Sequence, residues 1–561
     1  MTAIRDFPLA WILGTSAVGC ALPKLLHISL PETGLPEAWV YAAIFSVIFG
    51  LQAGTFALYA VFIYPFFISP FRHLRSPKGG LPLCGHGRDL RLYGPGHMAR
   101  QWYAENDDDS LMRVLWHGNQ EFIFVRSQHA LAEILVKNSY QFEKPEFIRG
   151  FLSFLIGWAL LTTEGNEHKK QRRNMLPAFS FRHIKDLYPL FWQKSCEGIA
   201  AMTAAYRESY QAATGQAEME ISAWSTRSGL DIIGLASTGI DFGAIKDAHN
   251  PLAQSYYCLN PSPSDFALIG LRAFIPQWTI QYLPIPRVWS IQRAAKHIRG
   301  VCADLVKDKK RRLANKEDIG VDILSVALSS GLFTDENLVD QMMTFLSAGH
   351  ETTAASLVWA IYLLAKYPHM QERLRTEIRE KLPSPDSPNP EINSTDIDSL
   401  PYLNAVCNEV LRTHGPVATT IREATGNTTV QGQYIPRGTL LILPIWAHNT
   451  DHMLWGPDSH EFKPERWLSP ELGGTSKTNA ASGGATSNYA FMTFIHGPHS
   501  CIGGNFSKSE MACLLAAWIG RFSFELKDKS LLDERNLHIN PSVVAKPEGG
   551  LNMLVKVVEG W

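Results

Sequence analysis

The sequence has no C-x-x-C pair, and its eight cysteines are scattered at 20, 84, 196, 258, 302, 407, 501 and 513. That spacing excludes a disulfide scaffold and points to a reducing, cytosol-facing compartment. Charge of one sign is missing too: 52 Lys and Arg stand against 53 Asp and Glu, a formal net charge of -1. Such a chain has no long-range field to steer it onto DNA or RNA, so no nucleic-acid partner is expected. There is no internal repeat, and no G-x-G-x-x-G fingerprint follows a strand, so no dinucleotide site is expected. What is present, 561 residues that are 45% hydrophobic, is ample for a large core.

The sharpest absence is local. From Ala38 to Phe71 there is no Lys, Arg, Asp, Glu or His, and about 20 apolar residues suffice to span a bilayer. Residues 38–71 therefore read as a transmembrane anchor. Arg72, His73, Arg75 and Lys78 follow it and place the downstream chain on the cytosolic side. Within the preceding 1–37, the uncharged stretch from Phe7 to Pro23 is short and interrupted by glycine and proline. An interfacial or signal-like helix and a second span both remain open for it. Residues 72–87 form a Pro/Gly-rich linker, and 88–561 form the soluble body.

Helical apolar periodicity dominates that body, over 185–210, 220–240, 290–314, 335–366, 369–381 and 399–413. Strand-like runs are few: 121–126, 428–435 and 439–445. The expected fold class is mainly α with a small β-sheet. Segments 383–396 and 473–488 read as solvent loops, and "KDKKRR" at 307–312 reads as the solvated end of a helix.

Four stretches carry chemistry. In "FIHGPHSCIGGNF" (494–506) one cysteine sits in a glycine-rich loop, just ahead of a helical run over 507–519. A helix amino terminus stabilises a thiolate. Cys501 is then either a nucleophile, with His496 or His499 as base, or a metal ligand; spacing leaves both open. In the long apolar helix 342–368, "AGHETT" (348–353) inserts Glu351 beside Thr352 and Thr353. Thr352 is placed to bond the carbonyl of Ala348, loosening the helix and making room for water or a small ligand. In "NAVCNEVLRTHGP" (404–416) Glu409 and Arg412 share one helix face, and "FKPERW" (462–467) adds Arg466 to a candidate buried network.

In this order the four stretches resemble the cytochrome P-450 superfamily of haem-thiolate monooxygenases, from about residue 80 to the end. The loop resembles its F-x-x-G-x-R-x-C-x-G signature at Phe494, Gly497, His499, Cys501 and Gly503, with His499 where arginine is usual. The resemblance implies Cys501 as the axial thiolate of the iron of haem b. It implies Glu351 and Thr352 as the acid-alcohol pair that delivers protons during oxygen activation, and Glu409, Arg412 and Arg466 as the structural triad holding the loop. "EGNEHKKQRRNMLPAFS" (164–180) resembles the helix that contacts haem, with His168, in place of the more frequent tryptophan, and Arg172 facing the propionates. Arg422 in "TTIREAT" resembles the remaining propionate clamp.

The resemblance further implies a membrane-anchored, endoplasmic-reticulum monooxygenase whose catalytic domain faces the cytosol. It would insert one atom of O2 into a C–H or C=C bond of a lipophilic small molecule, in the manner of fungal members that tailor terpenoid or polyketide metabolites. Electrons would come from NADPH-cytochrome P-450 reductase, for which exposed Lys169, Lys170 and Arg173 form a candidate docking face. Segments 146–160, 250–285 and 414–421 are the expected substrate lining. Two other functions fit the same residues: a same-fold isomerase or dehydratase needing no external electrons, against which the intact Glu351-Thr352 pair argues, and a non-catalytic haem sensor.

Overall fold

The computed structural model describes residues 9–25, 36–105, 108–211, 215–259, 285–320, 322–387, 391–474, 480–539 and 543–561. Most of the expected lining segment 250–285 lies outside the described residues. Helix α1 (Leu9–Leu25) precedes α2 (Glu37–Leu58), which continues as a π-helix through Tyr59–Ile68. The span Glu37–Ile68 is the one described helix long and apolar enough to cross a membrane. It stops short of Phe71, the end expected from composition, because Pro65 and the wider π turns close it at Ile68.

The soluble body begins with α3 (Gly87–Ala104), β1 (Leu111–Leu115), β2 (Glu121–Val125), β3 (Phe142–Glu143), α4 (Glu146–Ile156), α5 (Gly165–Met175) and α6 (Tyr188–Ser209). Next come β4 (Ala217–Glu220), α7 (Ile221–Thr238), α8 (Pro286–Ala314), α9 (Asp335–Lys366), α10 (Pro368–Lys381) and α11 (Pro401–His414). Strands β5 (Thr420–Ala424), β6 (Thr428–Val430), β7 (Gln433–Ile435) and β8 (Leu440–Leu443) follow, then α12 (Gly504–Arg521), β9 (Phe522–Leu526) and β10 (Asn552–Val557). The mainly helical class with small sheets holds.

The apolar span is joined to the body by buried polar groups. Asn119 Nδ2 donates to Val61 O (2.9 Å), Arg113 Nη2 donates to Pro65 O (2.6 Å), and Glu121 bonds both Arg113 Nε (2.7 Å) and Ser69 Oγ (2.9 Å).

Helix α9 organises the molecule. Thr334 caps it by accepting from Asn337 N, and Pro368 follows its end. It is apolar around almost its whole circumference, so it must be surrounded, and α7, α8, α11 and α12 pack on it. The main sheet runs β1-β2-β8-β5-β3, antiparallel except where β2 meets β8. Strand β10 lies between β4 and β9 in a second sheet.

Two local readings change. The run 428–435 is a hairpin rather than one strand: Gln431 and Gly432, at φ 50° and 77°, turn β6 back onto β7. Within 307–312, Lys309 is not solvated; it is buried and ion-paired to Asp322.

Candidate functional site

The cysteine loop is shaped by backbone needs that only its glycines meet. Gly497 has φ 75°, and a Cβ there would lie 2.0 Å from Leu135 O, so both conformation and space demand glycine. The loop closes when Cys501 N donates to Phe494 O (2.8 Å), and Gly503 forms the N-cap of α12. Arg172 on α5 reaches across, donating from Nη1 to Ser500 O (2.6 Å) and from Nη2 to Ser500 Oγ (3.0 Å).

Cys501 has exposed surface. Burial pushes its thiol up from the usual range, while the Gly503 N–H and the Arg172 guanidinium pull it down. In the middle of α9, Ala348 is exposed and Ser347, Gly349, Glu351 and Thr352 are half-exposed, between two buried runs. An opening in the centre of a core helix marks a hollow beside it. Thr352 Oγ1 donates to Ala348 O (2.8 Å), as the spacing predicted. Phe345 on α9 packs against Phe179 (ring centroids 5.3 Å), whose ring lies 3.9 Å from where a Gly503 Cβ would stand. The helix opening and the cysteine loop are thus two rings apart. A separate groove of about 1030 Å³, between Arg75–Gly79 and α3, contains none of these residues.

The loop's footing is the buried Glu409. It accepts from Arg412 Nε and Nη2 (both 2.8 Å), Arg466 Nε (2.9 Å), Lys463 N (2.8 Å) and Trp467 Nε1 (2.9 Å). Arg412 Nη1 then bonds Asn449 O (2.7 Å), and the Asn449 side chain bonds Met492 N and Thr493 Oγ1, both at 2.7 Å. This chain ends one residue before Phe494, so the three charged residues read from sequence do converge on the loop.

At the edge where propionates were expected, His168 and His499 stack face to face, centroids 4.2 Å apart and planes 18° off parallel. His499 Nε2 bonds Glu164 Oε2 (2.8 Å), Tyr140 Oη bonds His168 Nδ1 (3.2 Å), and Lys144 Nζ bonds Glu164 Oε1 (3.2 Å). Burial alone would raise the Glu164 carboxyl, but the hydrogen bond from His499 and the Lys144 ammonium outweigh it and hold it well below the usual carboxylate range. Burial lowers His499 despite Glu164, so the neutral ring donating to an ionised carboxylate is the state we assign to this pair. Burial, then the neighbouring Arg422, bring Lys144 down to about 8, and burial, then His499 and Lys144, bring His168 down to about 3.

Arg422 is 2% exposed. Its Nη1 donates to Thr420 Oγ1 (3.1 Å) and Ile421 O (2.9 Å), and no carboxylate among the described residues pairs with it. Glu164 acts on this guanidinium only through space and is itself bonded to His499 and Lys144, so the buried cation fits an anionic group brought in from outside. The described residues also hold no cluster of three or more His, Cys, Asp or Glu placed to bind a bare metal ion. The sulfur of Cys501, the opening in α9 and the buried cation of Arg422 all suit haem, an apolar disc with two carboxylates and an iron.

Sequence reading missed Glu164, Lys144, Tyr140, Asn449 and Lys546. None belongs to a periodic or spaced pattern; each joins the site only through packing.

The family model "Cytochrome P450" matches residues 75–553. Cytochrome P450 monooxygenase sphH of Aspergillus fumigatus is 41% identical, covering 94% of this chain and 96% of that protein. ALT8 of Alternaria alternata is 37% identical over 98% and 99%, and buaD of Petromyces alliaceus 38% over 92% and 93%; both are also cytochrome P450 monooxygenases. With its cysteine loop, its opened core helix and its buried Glu-Arg-Arg footing, the chain belongs to the cytochrome P450 family.

Proposed function

We propose that the protein is a membrane-anchored monooxygenase that binds haem b through Cys501 and oxygenates a lipophilic small molecule. The carrying observation is the sulfur of Cys501, exposed in its glycine loop just ahead of α12. When bound, haem supplies the activation of dioxygen that puts one oxygen atom into a C–H or C=C bond.

The chain's own residues do the rest. The Gly503 N–H and Arg172 favour the thiolate form of Cys501. Arg422 and Lys144 supply positive charge for the two propionates, and Arg172, tied to Ser500, holds the loop beside them. Thr352 donates its hydroxyl proton to Ala348 O at rest; once the hydroxyl turns off that carbonyl, its oxygen accepts a proton from one side and passes its own to the other. Glu351, partly exposed, takes that proton from solvent. The apolar walls exclude bulk water and select an apolar substrate. Of the expected lining, α4 and Trp158–Leu160 are described and rich in Phe, Leu and Ile.

Electrons come from NADPH-cytochrome P-450 reductase docking on the exposed Lys169, Lys170 and Arg173 of α5. The apolar span Glu37–Ile68 holds the enzyme in the endoplasmic-reticulum membrane with the body on the cytosolic face. The substrate is a lipophilic terpenoid or polyketide.

The test is a reduced-carbon monoxide spectrum of the haem-loaded chain together with reductase-dependent NADPH consumption. A thiolate-type band and NADPH consumption that requires the reductase are expected. A nitrogen- or oxygen-ligated spectrum would overturn the reading, and a thiolate band without NADPH consumption would leave the haem-binding sensor or the isomerase that needs no external electrons instead.

A further inference from the structure

Lys546 lies far from Glu351 in sequence, yet its Nζ donates to Glu351 Oε1 at 2.9 Å, both side chains 20% exposed. The segment that carries Lys546 is firmly mounted. Ala545 N donates to Pro416 O (2.7 Å), and Ala545 O accepts from Trp359 Nε1 (2.8 Å), a residue two turns further along α9 itself. Ile539 bridges to Pro547, and Glu548 N donates to His538 O (2.8 Å). The neighbour of Lys546 is therefore bonded to the same helix that carries Glu351, and the ammonium is delivered at a fixed height over the helix opening.

A free glutamate at the edge of such an opening would turn its carboxylate outward, where water solvates it and its rotamers are unrestricted. An ammonium on a rigid mount opposes that. We propose that Lys546 is the positioning residue of Glu351: it holds the carboxylate by Oε1 at the mouth of the α9 opening, aimed toward Thr352 rather than into solvent. The proton that enters at the Glu351 carboxylate comes from water and leaves through the Thr352 hydroxyl, so after each transfer the Lys546-Glu351 pair returns to its starting charge. This inference rests on the proposed proton-delivery role of Glu351 and Thr352, and it adds a residue from the segment ahead of β10 to that role.

The full chain, loaded with haem and reconstituted with NADPH-cytochrome P-450 reductase in phosphatidylcholine vesicles, supports the test without a known substrate. NADPH consumption is measured in H2O and D2O for wild type, Lys546→Met, Lys546→Arg, Glu351→Gln and the Lys546→Met/Glu351→Gln double variant. Lys546→Met is expected to slow consumption about tenfold and to raise the H2O/D2O rate ratio, whereas Lys546→Arg stays within about twofold of wild type. Adding Lys546→Met to Glu351→Gln should slow it no further. Thermal unfolding of the same set gives an activity-free readout: the losses in Tm from the two single changes should not add.

If Glu351→Gln slows consumption while Lys546→Met leaves both rate and isotope ratio at the wild-type values, the positioning role is wrong and the proton-delivery reading stands. If Glu351→Gln itself changes nothing, that reading fails first. Should Lys546→Met not retain haem, Lys546→Gln takes its place, and a slow enzyme with an unchanged isotope ratio would mark Lys546 as merely structural and overturn the proposal.

Discussion

The imidazoles of His168 and His499 stack 4.2 Å apart, and only His499 is hydrogen-bonded to an acid, Glu164. Both positions depart from the residues usual in the motifs they resemble, tryptophan and arginine, and the two departures touch one another. Two flat rings with a carboxylate and an ammonium behind them occupy the corner where a larger ring and a guanidinium were expected. Glu164 is what joins this corner to Lys144.

Glu164→Gln therefore removes the charge that holds Lys144 and His499 in place. Haem transfer from the holoprotein to apomyoglobin should accelerate by about tenfold, in line with the loss of a supporting contact behind a ligand. An unchanged transfer rate would show that the Glu164 corner does not support haem.

Cys501→Ser should abolish the thiolate-type carbon monoxide band while the far-ultraviolet circular dichroism stays that of a helical protein. The loop's backbone bonds, Cys501 N to Phe494 O among them, do not need the sulfur. A variant retaining the band would place the iron ligand elsewhere.

Thr352→Ala removes the one hydroxyl that bonds Ala348 O in the opened stretch of α9. We expect haem to be retained and electrons from NADPH to appear as hydrogen peroxide, with several-fold more peroxide per NADPH than wild type. Peroxide assay against NADPH loss decides the point.

Glu409→Ala leaves Arg412 and Arg466 buried without their shared carboxylate. Breaking a buried ion network from one side costs about 3–5 kcal/mol. Because Arg412 leads through Asn449 to Met492 and Thr493, thermal unfolding should show a large drop in Tm, and the purified variant should contain little haem.

One source of acid sensitivity lies next to Asn449, the residue that links Arg412 to the cysteine loop. His448 is buried, with Nε2 donating to Val125 O (2.8 Å), and burial lowers its pKa to about 4. Its unfolded value is about 6.5, so between these two values the unfolded chain binds a proton that the native one refuses. The stability that depends on neutral His448 is complete above about pH 6.5 and falls as pH drops toward 4, by up to about 1.4 kcal/mol per pH unit. His448→Gln should be less stable at pH 7 yet show a flatter Tm-against-pH curve from 6.5 to 4.5. A curve as steep as wild type would assign the acid sensitivity to other groups.

Local rules made much of this protein readable. The uncharged run from Ala38, the six helical periodicities and the glycines around Cys501 are each set by neighbours within a few turns, and the structure reproduces them within a few residues. A two-strand turn hidden in 428–435 escaped because Gln431, not a glycine or asparagine, takes the first left-handed position. Lys309 escaped because its partner Asp322 lies beyond the end of its helix.

By itself the sequence determined the class of fold, the anchor and the sulfur at 501, since backbone conformation, helical period and apolar length act over short distances. Only the tertiary structure decided which charges meet. It set Lys546 on Glu351, Glu164 between His499 and Lys144, and Arg422 in the interior, bonded to Thr420 and Ile421. Ion pairs between remote segments carry no periodic mark along the chain; their partners are fixed by packing geometry, and in a buried, weakly screening interior that geometry also decides their charge.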